Sequence, residues 1–145
     1  SSCTRYAQSN DIQHSFFFHG DIADSESVKT AVMKAREQSG AGVISFYSRF
    51  VMHSIDDAQQ EFFMHSLSKF LQVGDEIYFE FRSKEDANLD KHFGGHFRRY
   101  VDTDQFSRAL IGILGLSIEY TVTSQGMARF KEENPYVSRV IARKL

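Results

Sequence analysis

The hydrophobic positions of this chain switch between short unbroken runs, helical stripes and strict alternation. Residues 14–19 hold Phe16, Phe17 and Phe18 in one apolar run, which predicts a strand ended by Gly20 and Asp21. Val28, Ala31, Val32 and Ala35 then recur at helical spacing. Asp24 or Ser25 stands where an N-cap belongs, and Gly40 and Gly42 end the helix. Residues 43–47 form a second buried run. Ser54 and Asp57 have capping-box spacing ahead of Phe62, Phe63, Leu67, Phe70 and Leu71, the apolar face of another helix. Val73-Gly74-Asp75 turns the chain into residues 76–82, where Ile77, Phe79 and Phe81 alternate with Tyr78, Glu80 and Arg82.

Residues 83–95 are charged and punctuated by glycine, which predicts a long loop. Thr103 is placed to cap a helix that buries Phe106, Ala109, Leu110, Ile113 and Leu114 and stops at Gly115. Ile118, Tyr120 and Val122 alternate in a strand over 118–123. Residues 127–131 are expected to continue it after a bend at Gln125-Gly126. A turn at 132–135 leads into a last strand over 136–143. Early alternation of strands and helices implies parallel crossovers, and the final two strands imply an antiparallel hairpin at the sheet edge. The class is therefore α/β, in one domain over 1–145.

Composition adds limits. The chain has 145 residues, 41% apolar and 25% charged, with a net charge of -2. That charge gives no footprint for nucleic acid or an anionic membrane. Fourteen Phe and no Trp mark a Phe-filled core. Cys3 is the single cysteine, so no internal disulfide forms, which suits a reducing cytoplasm. No apolar run is long enough to span a bilayer.

The polar residues that end the second run are the first candidates for chemistry. Tyr47, Ser48, Arg49 and His53 fall where an open α/β sheet keeps its ligand crevice. Arg49 can hold a carboxylate by two parallel hydrogen bonds or make a surface ion pair. His53 can act as a general base or orient the elbow by a hydrogen bond. Glu80 and Arg82 leave their strand on one side, as acceptor-binding residues or as a structural pair. A second cluster holds His92, His96, Arg98, Arg99 and Tyr100. Arg98 and Arg99 suit an anionic acceptor. His92 and His96 are four apart, but glycines lie between them and no third ligand is evident, so no metal site is expected.

Four words in order resemble the later part of a class I S-adenosylmethionine-dependent methyltransferase. They are Phe18-His19-Gly20-Asp21-Ile22, Tyr47-Ser48-Arg49-Phe50-Val51-Met52-His53-Ser54, Leu71-Gln72-Val73-Gly74-Asp75 before Tyr78-Phe79-Glu80-Phe81, and the closing stretch from Tyr136 to Lys144. The resemblance implies a truncated Rossmann-like sheet, mainly parallel, with a C-terminal antiparallel hairpin and helices on both faces. It implies S-adenosylmethionine as the parent domain's cofactor. Asp21 would then accept from the adenine amino group with Ile22 beside the ring, unless Asp21 only initiates a helix. Tyr47, Ser48 and Arg49 would flank the methionine part. Residues 91–100 resemble the substrate-side loop of a branch found in bacterial polysaccharide-modifying proteins, so Glu80, Arg82, Arg98, Arg99 and Tyr100 would meet a small-molecule or glycan acceptor. The sulfonium is already activated, so a base is needed only for a hydroxyl acceptor, and His53 or His96 would supply it.

The family's first strand, its Gly-rich loop and the second strand with its terminal acid have no counterpart in the sequence. The chain is therefore expected to be the C-terminal portion of a longer methyltransferase, not binding cofactor by itself. A non-catalytic methyltransferase-like interaction module is the alternative. The loss of those strands would leave the edge of 43–47 open, for residues 15–19 to slide beside or for a homodimer to cover.

Overall fold

A computed structural model describes residues 19–40, 42–91 and 97–145. Its described elements are helix α1 (Ser25–Ser39), strand β1 (Ser45–Arg49), helix α2 (Asp57–Ser68), strand β2 (Glu76–Arg82), a 3-10 turn (Lys84–Asn88), helix α3 (Thr103–Leu114), strand β3 (Leu116–Ser124) and strand β4 (Val137–Lys144). Residues 14–18 lie outside the described residues, and so does the pairing expected of them.

The strands form one open sheet in the order β1-β2-β4-β3. β1 and β2 are parallel, while β4 is antiparallel to both β2 and β3. Three strands therefore run one way, and β4 is inserted against them. β3 bulges between Ile118 and Tyr120. Residues 127–131 do not extend it: only an isolated bridge joins Phe130 to Glu133.

Alternation sorts the sheet into two faces. Ile77, Phe79 and Phe81 lie in register with Ala142, Val140 and Ser138, and they enter the same core as Val28, Val32, Met64, Leu67 and Leu110 from the three helices. Phe106 of α3 sets its ring edge-on to Phe79 and Phe81, at centroid distances of 5.0 and 4.7 Å. α1 contacts α2 and α2 contacts α3, so the described helices form one layer on this face. The second helical layer expected from the sequence has no counterpart among the described residues. On the opposite face Tyr47 and Tyr120 are 69% and 49% exposed.

The cap of α1 is one of the two expected, whereas those of α2 and α3 move by two positions and by one. Asp24, not Ser25, accepts from the backbone of Glu26 and Ser27. The capping box of α2 is Asp56 with Gln59, because Ser54 gives its hydroxyl to the Phe50 carbonyl instead. Asp102 caps α3, and Thr103 is bonded to Ser138 on β4 at 2.6 Å. The stretch after β2 is not wholly irregular: its 3-10 turn folds the charged residues back onto Arg82.

The turn before β2 is a polar hub. Gly74 has φ +91°, and a Cβ there would lie 2.9 Å from the Val43 side chain, so only glycine fits. Asp75 is fully buried. Its carboxylate accepts from both terminal nitrogens of Arg36 and from the amides of Ile44 and Gln72. Burial would raise its pKa; Arg36 and the two amides outweigh burial and hold it below the usual value.

Candidate functional site

The carboxyl ends of β1 and β2 lie side by side, Arg49 opposite Glu80. β1 runs on through Arg49, two residues past the expected end of the strand. The consequence is that its polar residues are divided by alternation. Ser48 is in register with Phe79 on the helical face, half-buried, and its hydroxyl is buried without a partner. Tyr47 and Arg49 lie on the open face. The chain then turns sharply at Phe50, whose φ is +60° and whose amide donates to the Glu80 carbonyl at 2.7 Å.

Glu80 is bracketed by two arginines from its neighbouring strands. Arg49 Nε donates to one carboxylate oxygen and Arg139 Nε to the other, each at 2.7 Å. The Glu80 side chain is 4% exposed, whereas the arginines are half-exposed. Arg49 also places its guanidinium carbon 4.6 Å from the centre of the Phe50 ring. Above this triad the open face forms a bowl lined by Tyr47, Tyr78, Tyr120 and Ile141. Arg139 escaped the sequence reading because only the β2–β4 register brings it to Glu80.

Arg82 belongs to a separate buried cluster. Its guanidinium donates to Asp86 at 2.9 Å and to Glu133, and Asp86 also receives Lys91 Nζ and the Tyr136 amide. Burial works against the charge of Arg82; the two carboxylates more than restore it and raise its pKa. Glu80 and Arg82 are thus not paired with each other. Asp86 and Glu133 were not singled out from sequence, although two acids buried beside one arginine hold this corner together.

His53 is buried at the elbow. Its Nδ1 accepts from the Arg82 backbone amide at 3.2 Å, and its carbonyl accepts from the Arg99 amide at 2.8 Å. An Nδ1 that accepts places the ring proton on Nε2. This geometry favours the orienting role over the basic one, since the lone pair a base would use is already engaged. His92 and His96 lie outside the described residues.

Arg99 is committed as well. It donates to Asp57, Gln60 and the Met52 carbonyl, pinning the segment before α3 to the start of α2. Arg99 and Tyr100 line a cavity of about 420 Å³ between α2 and α3, away from the bowl that Tyr47 and Glu80 line. Arg98 is half-buried next to them. Asp21 and Ile22 line a third, apolar groove with Phe46, Phe63 and Leu67. Asp21 turns one oxygen to the Ala23 amide at 2.8 Å, the short contact of a turn acid.

No protein-family model matches the sequence, and no curated protein matches it. Solved structures do resemble the fold. A methyltransferase of Anabaena variabilis, described as S-adenosylmethionine-dependent, is 13% identical with a TM-score of 0.67, covering 99% of this chain and 64% of its own. An O-methyltransferase family protein of Burkholderia thailandensis is 9% identical with a TM-score of 0.63, over 99% of this chain and 40% of its own. An O-methyltransferase from neocarzinostatin biosynthesis, in complex with S-adenosylhomocysteine and 1,4-dihydroxy-2-naphthoic acid, is 14% identical with a TM-score of 0.56, over 99% and 38%. The chain thus spans less than two thirds of the length of each.

The described residues fit S-adenosylmethionine only in part. Asp21 beside an apolar groove suits the edge of an adenine ring. Ser48, by contrast, faces the helices, Arg49 is held by Glu80, and Asp21 and Arg49 share no cavity among those described. No described helix is long and apolar enough to cross a membrane. With its mixed open sheet and β4 inserted between β2 and β3, the chain has a fold similar to that of S-adenosylmethionine-dependent methyltransferases.

Proposed function

We propose that this chain is a portion of an S-adenosylmethionine-dependent methyltransferase domain acting on a small molecule or a glycan, and that it does not bind the cofactor by itself. The observation that carries this reading is the likeness over 99% of the chain to a methyltransferase of which it spans 64%. The neighbour that holds a naphthoic acid supports a small-molecule acceptor. The resemblance of residues 91–100 to the substrate-side loop of a branch found in bacterial polysaccharide-modifying proteins supports a glycan. In the parent domain Asp21 and Ile22 would hold the adenine end, with Tyr47 and Arg49 nearer the methionine end. The cofactor would supply the activated methyl group, while the chain's residues would align the acceptor.

One observation favours the second reading, a module without catalysis. Arg82, Arg99 and the Nδ1 of His53 are all engaged by other groups of the same chain. Calorimetry with S-adenosylmethionine separates the readings when it is run on this chain and on the chain extended upstream in its gene. The catalytic reading expects no heat from the first and micromolar binding by the second. Silence from both would favour the interaction module, and micromolar binding by this chain alone would overturn the claim that it lacks the cofactor site. Sedimentation of the same samples tests the proposed pairing of two chains through the edge of β1.

A further inference from the structure

β3 ends the described sheet on the side away from β1, and its partner there is β4 alone. A bare edge recruits other strands, so edges are usually blunted by lysine, proline or strong charge. Along Leu116–Ser124 the one charged residue is Glu119, and neither lysine nor proline occurs. The bulge between Ile118 and Tyr120 interrupts the strand early and leaves the register from Tyr120 to Ser124 regular.

Hydrogen-bond parity decides which backbone groups of β3 face outward. Glu76 donates its amide to the Ile44 carbonyl, and Phe50 donates to that of Glu80, so Glu76, Tyr78 and Glu80 bond towards β1. Ile77, Phe79 and Phe81 therefore bond towards β4, opposite Ala142, Val140 and Ser138. That turns Ile141 and Arg139 towards β3, opposite Tyr120 and Val122. Thr121 and Thr123 are left pointing their amides and carbonyls away from the sheet. Glu119 is skipped by the β4 register altogether. All three are exposed, and Tyr120 among them is 49% exposed on the open face.

A strand added here must match these outward groups and cover Tyr120. β3 itself does both. Set antiparallel about a two-fold axis at Thr121, two copies oppose Thr121 to Thr121 and Glu119 to Thr123 as hydrogen-bonded pairs. Tyr120 then meets Val122 of the partner subunit at the closer, non-hydrogen-bonded spacing, an aromatic and β-branched pair that favours a sheet. An axis at Glu119 would oppose two carboxylates. An axis at Thr123 would set Tyr120 against Gly126, where φ is +85° and the strand has ended. The axis at Thr121 alone engages Glu119, Thr121 and Thr123 together.

We propose that two copies of this chain join by antiparallel pairing of β3 about an axis at Thr121, which continues one sheet through both. The edge lies at the far end from β1 and uses no cofactor, so it stands or falls independently of the methyltransferase reading.

Sedimentation of the whole chain at about 100 μM, where even a weak complex is populated, is expected to show a dimer. Thr121→Pro removes an amide that its own sheet does not use, so it is expected to keep the wild-type circular dichroism and to sediment as a monomer. Thr121→Lys sets two ammonium groups face to face and is expected to do the same, which keeps the test decisive should the proline unfold the chain. In a Cys3→Ser background, Thr121→Cys is expected to cross-link two chains on oxidation, because opposed hydrogen-bonded residues have Cα atoms about 5.5 Å apart. Thr123→Cys, which faces Glu119 and not itself, is expected to stay unlinked. A monomeric wild type, a dimer that survives Thr121→Lys as one paired through β1 would, or equal cross-linking at both positions would each overturn the proposal.

Discussion

Arg36, near the end of α1, grips both oxygens of Asp75 at 2.9 and 2.6 Å, thirty-nine residues further along the chain. The pair closes a corner at which α1, β1 and β2 meet. Removing one partner leaves the other buried and unpaired, which costs about 3–5 kcal/mol. Asp75→Ala is expected to lose about that much in urea unfolding.

The same pair sets a pH dependence. The folded state holds Asp75 below its unfolded value, so its stabilisation is complete above the unfolded pKa and is lost as pH falls through the folded one. Stability is therefore expected to decline as pH drops below about 4, the usual aspartate value. In Asp75→Asn the acid slope should flatten. Thermal melts of both proteins between neutral and acid pH measure this, and an unchanged slope in the variant would sink the assignment.

Phe106 joins α3 to the sheet through its two edge-on contacts. Truncating a buried phenylalanine leaves a cavity that costs about 3–5 kcal/mol. Phe106→Ala is expected to fall in that range by denaturant titration, and Phe106→Leu to cost clearly less.

The start of α2 distinguishes two hydrogen-bonding residues only two positions apart. Asp56→Ala removes the capping box and is expected to cost about 1 kcal/mol. Ser54→Ala loses one exposed bond to the Phe50 carbonyl and should cost less than half of that. The reverse order in chemical denaturation would restore Ser54 as the cap.

His53 carries its proton on Nε2 if Nδ1 accepts from the Arg82 amide. Long-range nitrogen–proton NMR correlation above neutral pH is expected to show that tautomer. A proton on Nδ1 would break the contact and reopen the role of His53 as a base.

Much of this was legible in the sequence where one local cause dominates. Ile77, Phe79 and Phe81 alternate because a strand with one packed face demands it, and Gly74 and Gly115 stand where φ is positive. The caps were harder. Ser54, Asp56 and Asp57 all offer a side-chain oxygen near one helix start, and only the path of the elbow assigns Ser54 to Phe50. The triad was least legible. Arg139 reaches Glu80 across fifty-nine residues, and no local pattern encodes a partner at that distance. The polar elbow misled for a related reason: two extra strand residues at the end of β1 send Tyr47 and Ser48 to opposite faces.

The insertion of β4 between β2 and β3 also governs the order in which the molecule can assemble. Within the described sheet β3 has no strand partner except β4, and β4 reaches β2 through pairs such as Glu76 with Arg143. During synthesis β2 and β3 emerge first and have no hydrogen bonds to offer each other. The sheet joins its two halves only when β4 slides between them. Until then the nascent chain displays two unsatisfied strand flanks, one on β2 and one on β3. Its most exposed moment comes just before β4 becomes free to pair.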